Sequence, residues 1–189
     1  MCRIVPYQPH HNDAMIAVVR AVYDEYGFTW EADGYHRDLY DIEAAYLQRG
    51  GMFWVVLSGS VKRMSSLGAP PLPGVGDRSR DCSIISGTSL AEDRVIGCAG
   101  VTQHDGGECE LHRMYLLPSY RGRGLGRRLL ETVTAYARTR GCRRILAWSD
   151  VKLTLAHRLY LKHGFVQEGE RICDDPDQAL EYGFWKEPL

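Results

Sequence analysis

Arg121-Gly122-Arg123-Gly124-Leu125-Gly126 leaves its stretch of backbone few options, because the apolar run Met114-Tyr115-Leu116-Leu117 precedes it and an amphipathic stretch opens at Arg127. That setting predicts a strand, a tight glycine-rich turn and a helix start. Three glycines at alternate positions carry no Cβ atoms that would hold an anion away from the main chain, so several N–H groups can converge on a phosphate. The helix dipole adds partial positive charge there, and Arg121, Arg123, Arg127 and Arg128 surround it with formal charge. A pyrophosphate is the ligand this chemistry points to.

Two familiar nucleotide folds are disfavoured. A dinucleotide turn needs G-x-G-x-x-G, and starting that pattern at Gly122 or Gly124 puts Arg127 or Leu129 where the last glycine belongs. A nucleotide P-loop ends in G-K-[ST], a tripeptide the chain lacks.

Arg121, Gly124 and Gly126 meet the pattern R/Q-x-x-G-x-G/A, and the segment resembles the acetyl-CoA signature of the GNAT acetyltransferases. The run from Arg113 through Pro118 to Tyr120 is similar to the strand that precedes that signature. Further on, Ala156-His157-Arg158-Leu159-Tyr160-Leu161-Lys162-His163-Gly164-Phe165 resembles the family's second hallmark, in which an alanine, a tyrosine and a terminal Gly-Phe recur at this spacing. The two blocks lie in the family's order and separation.

The 189 residues suit one domain, with 44% hydrophobic and 25% charged residues in the ordinary globular range. A net charge of -1 gives no overall pull toward nucleic acid or an anionic membrane, and neither is expected as a partner. Cys2, Cys82, Cys98, Cys109, Cys142 and Cys173 form no C-x-x-C pair and fall in or beside apolar runs, which predicts reduced thiols in a cytoplasmic protein. Cys109 and His112 have the spacing of a C-x-x-H metal clip, but no second such pair completes four ligands, so no metal is expected. Pro6 and Pro9 stand where a signal peptide would carry its apolar core.

Periodicity supplies the remaining elements. A short strand covers residues 2–5, and Asn12 or Asp13 caps a first helix that runs to Gly27. Leu39, Ile42 and Tyr46 fall on one face of a second helix predicted over 36–49. Buried strands follow at 52–57 and 94–101, separated by a Pro-, Gly- and Ser-rich insertion at 58–93 that reads as either a tolerated surface loop or a lid or partner-binding arm. After the turn Asp105-Gly106-Gly107 come a strand over 108–117, the signature, a helix ending at Gly141, a strand over 145–148 and a helix over 154–163. Two strands close the chain, the second alternating Leu180, Tyr182 and Phe184. The succession predicts an α/β fold with a mixed sheet. The resemblance implies the GNAT acyl-CoA N-acyltransferase fold, a central and mostly antiparallel sheet with a parallel splay, flanked by helices.

Acetyl transfer from a thioester to an amine needs a held donor, a deprotonated nucleophile, a stabilised oxyanion and a proton for the leaving thiolate. Acetyl-CoA is the cosubstrate the resemblance implies. Backbone amides over 122–127, including Leu125, would hold its pyrophosphate, and the edge formed by Met114, Tyr115, Leu116 and Leu117 would pair with the pantetheine amides as another strand would. By resemblance, the Leu116 amide is the oxyanion donor and Tyr160 the acid that protonates the CoA sulfur. A family asparagine about a turn and a half before that tyrosine is replaced here by Leu153 or Thr154.

Glu108, Glu110 and His112 alternate on one face of the signature strand, with Cys109, Leu111 and Tyr115 assigned to the other. Glu110, His112 or a water chain could take the amine proton. Acidic residues crowd the first two helices, among them Asp24, Glu25, Asp38 and Asp41, and would welcome a cationic amine. Tyr23, Tyr26, Phe28, Trp30 and Tyr35 could wall an acceptor site or simply pack the core. The expected partner is an amine-bearing acceptor, on a monomer or homodimer. The rival reading is a catalytically silent acyl-CoA-binding module or regulatory sensor.

Overall fold

A computed structural model describes residues 1–59 and 93–189. The expected insertion at 58–93 therefore lies, apart from its end residues, outside the described residues.

The chain begins with strand β1 (Cys2–Pro6) and helix α1 (Asn12–Tyr26), which buries Met15, Ile16, Val18, Val19, Val22 and Tyr23. Gly27 ends α1 at φ 66°, a left-handed conformation that costs a glycine little and a β-carbon more. The second predicted helix is broken. A 3₁₀ turn over Arg37–Tyr40 is followed by the single turn α2 (Ile42–Ala45) and another 3₁₀ turn over Leu47–Arg49. Asp41 is the cause: its backbone leaves the helical region at φ -144°, and its carboxylate accepts the Ala44 N–H instead. Leu39, Ile42 and Tyr46 are still buried, so the apolar face survives the break.

The remaining elements are β2 (Met52–Ser58), β3 (Arg94–His104), β4 (Glu108–Leu116), α3 (Leu125–Thr139), β5 (Arg144–Asp150), α4 (Thr154–Lys162), β6 (Val166–Ile172) and β7 (Leu180–Lys186). They form one seven-stranded sheet in the order β1-β2-β3-β4-β5-β7-β6, in which only β4 and β5 run parallel. Leu129, Leu130, Val133 and Ala137 of α3 pack on one face with Ile145 and Phe184. Met15, Val19, Leu39 and Ile42 cover the other face above Phe53 and Val55. Gly164 closes α4 at φ 80°, and Phe165 folds back so that its N–H reaches the Tyr160 carbonyl at 3.1 Å.

Two departures matter for the site. β4 pairs with β5 only from Glu108 to Leu111, while β5 continues along β7 as far as Asp150, so the parallel strands separate beyond Leu111. β4 also carries a bulge: His112 lies opposite Gly100 and Tyr115 opposite Cys98, which sets two residues of β4 against Ala99 alone, and Arg113 takes φ 50°. An extra residue reverses the alternation of side chains. Tyr115 therefore lies 6.1 Å from Tyr23 of α1, on the α1 side of the sheet, while Cys109 and Leu111 pack against the α3 side. This corrects the assignment of Tyr115 to the same face as Cys109 and Leu111.

The expectation of reduced thiols is also corrected at one pair. Cys109 and Cys142 form a disulfide across a sequence separation of 33. Parallel pairing sets Cys109 beside Ile145 and brings Cys142, just upstream, within bonding reach. The same bond takes Cys109 out of any C-x-x-H clip, and the inference of a reducing compartment loses one of its premises.

Candidate active site

The three glycines of the turn do not serve it in the same way. Gly122 and Gly124 have φ 73° and 76°, and a Cβ at either would meet nothing within 4 Å, so the backbone conformation rather than crowding requires glycine. Gly126 is different. A Cβ there would come within 3.3 Å of Leu159 Cδ2, so its absence lets α3 approach α4. Gly124 is the residue before α3 and provides no side-chain cap, which leaves the first amides of the helix directed into the turn.

Arg121 is engaged elsewhere. Its Nη1 and Nη2 each donate to Glu25 of α1 at 2.7 Å, and its Nε donates to the Leu116 carbonyl at 2.9 Å. As found, it ties the turn to α1 and β4 rather than pointing at a phosphate. Arg123 lies over the Tyr120 ring at 5.5 Å, and Arg127 pairs with Glu131 at 3.4 Å in an exposed contact.

A cavity of about 440 Å³ runs from Gly122, Gly124 and Arg127 between the ends of α3 and α4 to Met114, Tyr115 and Leu116. Leu117 donates its N–H to Ile96 on β3 at 2.9 Å. By strand alternation the N–H and C=O of Leu116 face the opposite way, into the space β5 has vacated. A second cavity, of about 280 Å³, opens toward the α1 side and shares Met114, Tyr115 and Ala156 with the first. Tyr160, Glu110 and His112 all line this second cavity. The structure thus brings the three together, in a cavity whose wall shares residues with the first beside the strand gap.

Tyr160 is buried, packed against Phe165 and Phe184 with ring centroids 5.4 and 5.3 Å away. Burial, with Tyr115 nearby, pushes its phenol above the ordinary tyrosine range, so it holds its proton at neutral pH. Glu110 has a side chain only 17% exposed, and burial raises its carboxyl pKa against the lowering pull of Arg171 and His104. Burial and the Arg113 guanidinium push His112 down to about 4, which leaves it neutral but weakly basic. Between these two candidates the environment favours Glu110 as proton acceptor.

Of the acidic residues on the first helices, only Asp38 reaches this cavity. Asp38 is held by Arg113, whose Nε and Nη2 donate to its two carboxylate oxygens at 3.0 and 2.8 Å, and by the Tyr46 hydroxyl. Glu25 is occupied by Arg121, and Asp41 caps α2. Tyr23, Phe28 and Tyr35 line the cavity, whereas Trp30 stacks on buried His36 at 4.0 Å. Sequence reasoning misses Asp150, Asp175 and Glu181, which join the wall from the opposite side, with Arg171 paired to Glu181 at 2.8 Å. They sit far along the chain in segments without a motif, so nothing local signals them. Thr29 and Asp177 join the loops above, the Thr29 hydroxyl donating at 2.6 Å.

A left-handed glycine turn opening a helix, beside two parallel strands that part company, defines the fold class that the resemblance implies. The profile of the Acetyltransferase (GNAT) family matches residues 72–165. The chain is 34% identical over 84 residues to an uncharacterized N-acetyltransferase of Mycobacterium tuberculosis, covering 44% of this chain and 54% of that protein. It is 29% identical over 162 residues to an uncharacterized N-acetyltransferase of Escherichia coli, covering 82% and 75% respectively. A GNAT-family acetyltransferase structure from Staphylococcus aureus superposes with a TM-score of 0.73 over the whole of both chains, and at 17% identity that likeness establishes the fold alone. The chain belongs to the GNAT acetyltransferase family. Its match spans about half the length of the mycobacterial relative.

Proposed function

We propose that the protein transfers the acetyl group of acetyl-CoA to a primary amine by direct attack. The observation that carries this reading is that the two cavities share Met114 and Tyr115 as wall residues, on β4 beyond the point where β5 separates from it. The amides at the start of α3, from Leu125 to Arg127, hold the pyrophosphate, and the free edge of β4 takes the pantetheine arm. On this reading the thioester lies beside Met114 and Tyr115.

The amine nitrogen attacks the thioester carbon, and the carbonyl electron pair moves to an oxygen stabilised by the Leu116 N–H. Glu110, directly or through water, takes the proton the nitrogen gives up. Collapse of the tetrahedral intermediate re-forms the carbonyl, breaks the carbon–sulfur bond and sends the pair to sulfur, which takes its proton from Tyr160. No enzyme-bound acetyl group is invoked: on β4 itself Cys109 is engaged in a disulfide, and on β3 buried Cys98 donates to the Arg113 carbonyl.

The acceptor wall supports a cationic amine. Arg113 and Arg171, both lining the acceptor cavity, are already neutralised by Asp38 and Glu181, while Glu110, Asp150 and Asp175 add negative charge. The test is release of CoA thiol from acetyl-CoA with a panel of amines. Turnover above the amine-free rate, greatest for amines charged at neutral pH, is the expected result. Tight acetyl-CoA binding without release against any amine would overturn it in favour of a silent binding module.

A further inference from the structure

The polar face at the start of β4 holds a second constellation, and it was hidden from the sequence by the turn that creates it. β3 and β4 pair antiparallel with Thr102 opposite Glu110, so the alternation along each strand places Thr102 and His104 of β3 on the same side of the sheet as Glu110 and His112 of β4. Glu110 then lies between two imidazoles. His104 Nε2 is 3.2 Å from Glu110 Oε2, and His112 Nδ1 is 3.7 Å from Glu110 Oε1. One ligand atom from each of the three residues falls within 4.8 Å of the others.

The two imidazole–carboxylate spacings, 3.2 and 3.7 Å, bracket those of a coordination shell. Ligand atoms on a tetrahedral Zn²⁺ at about 2.0–2.2 Å lie roughly 3.3–3.6 Å from one another. The surroundings also supply what an imidazole ligand needs behind it: His112 Nε2 is 2.8 Å from Thr102 Oγ1, so a ring binding metal through Nδ1 can donate its other N–H to that hydroxyl. The neighbouring cations do not oppose a further positive charge at full strength, since Arg113 is paired with Asp38 and Arg171 with Glu181. His104 has a side chain 51% exposed and gives the ion a route from solvent. Two imidazoles and one carboxylate favour a first-row divalent transition ion over Mg²⁺ or Ca²⁺, whose preferred ligands are oxygens.

We propose that His104, Glu110 and His112 form a three-ligand site for a divalent cation of the Zn²⁺ type, and that its occupation silences the enzyme by withdrawing the Glu110 carboxylate from the acceptor amine. The silencing half rests on the acetyl-transfer reading above; the binding half does not. The ion is thus a regulator of the acceptor side and not a resident cofactor.

The experiment titrates the metal-stripped full chain, disulfide intact and without acetyl-CoA, with Zn²⁺ by calorimetry and with Co²⁺ by its visible d–d absorption. About one equivalent should bind, with Co²⁺ bands of tetrahedral intensity. Affinity should fall about tenfold or more in His104→Gln and in Glu110→Gln, each checked for an unchanged melting profile. Absence of stoichiometric binding, or binding indifferent to both substitutions, would overturn the site. In the turnover assay Zn²⁺ should inhibit competitively against the amine and not against acetyl-CoA; binding without inhibition would overturn the silencing half. Binding as expected in a protein that acetylates no amine even when stripped of metal would uphold the site and dismiss the acetyl-transfer reading instead.

Discussion

The two halves of the site are built by different means. On the α3 side, the surface is a matter of main-chain conformation: Gly122 and Gly124 in the left-handed region and the first amides of one helix, all within a short stretch of chain. On the α1 side, it is a matter of side-chain charge and aromatic surface gathered from Tyr23, Asp38, Glu110, Asp150 and Glu181, which belong to separate elements of the fold. A conformation encoded locally fixes one ligand class, whereas a wall assembled from dispersed residues can change its ligand residue by residue. On the proposed reading, the donor end is therefore the constant half of such a molecule and the acceptor end the adjustable one.

Substitutions can break that division in graded steps. The largest effect belongs to Tyr160, in the wall of the second cavity: Tyr160→Phe should lower kcat by about 10²- to 10⁴-fold while acetyl-CoA affinity by calorimetry stays within about twofold. Full turnover in that variant would remove the tyrosine from the reaction. Next is Asp38→Asn, which leaves the Arg113 side chain, only 9% exposed, without its ion-pair partner; unfolding free energy should fall by about 3–5 kcal/mol in denaturant titrations, with acceptor KM rising more than the acetyl-CoA dissociation constant. An equal loss on both substrates would mean that the halves are not separate.

On the opposite side, Gly124→Glu combines strain at φ 76° with a negative charge at the helix start. It should weaken acetyl-CoA binding about 10- to 100-fold and leave acceptor selectivity unchanged among the turnovers that remain. The smallest effect is a pH dependence. His36 is fully buried, with Nδ1 accepting the Glu31 N–H at 3.2 Å, and burial with Arg113 nearby pushes its pKa down to about 4. Below its ordinary value of about 6.5 the unfolded chain takes up a proton that the folded chain refuses, so this contribution is complete above that pH and is lost as pH falls toward 4. Stability should drop by about 1 kcal/mol between about pH 6.5 and about pH 5.5, and the slope should flatten in His36→Phe. An unchanged slope would assign the acid sensitivity to other groups.

Much of this division could be read from the residues themselves. The glycine turn was legible because a left-handed backbone favours glycine, and the caps of α1 and α4 at Gly27 and Gly164 were legible for the same reason. The acceptor wall was not. Asp150, Asp175 and Glu181 are ordinary acidic residues until the sheet order sets β5 and β7 side by side. The bulge at Arg113 was equally hidden, since its cause is the pairing of two residues against Ala99 on another strand, and it misplaced Tyr115. Asp41 broke the predicted second helix through a side-chain bond that competes with the backbone, a preference that periodicity alone ignores. His104 escaped notice because its partners lie across the turn at residues 105–107.

The bond between Cys109 and Cys142 closes a covalent ring, and what the ring contains is most of β4, the glycine turn and the whole of α3. A protease that cuts once after Arg121 or Arg123 would sever the chain in its glycine-rich bend without releasing either product. The two pieces would stay tethered and migrate as one until a reductant parted them.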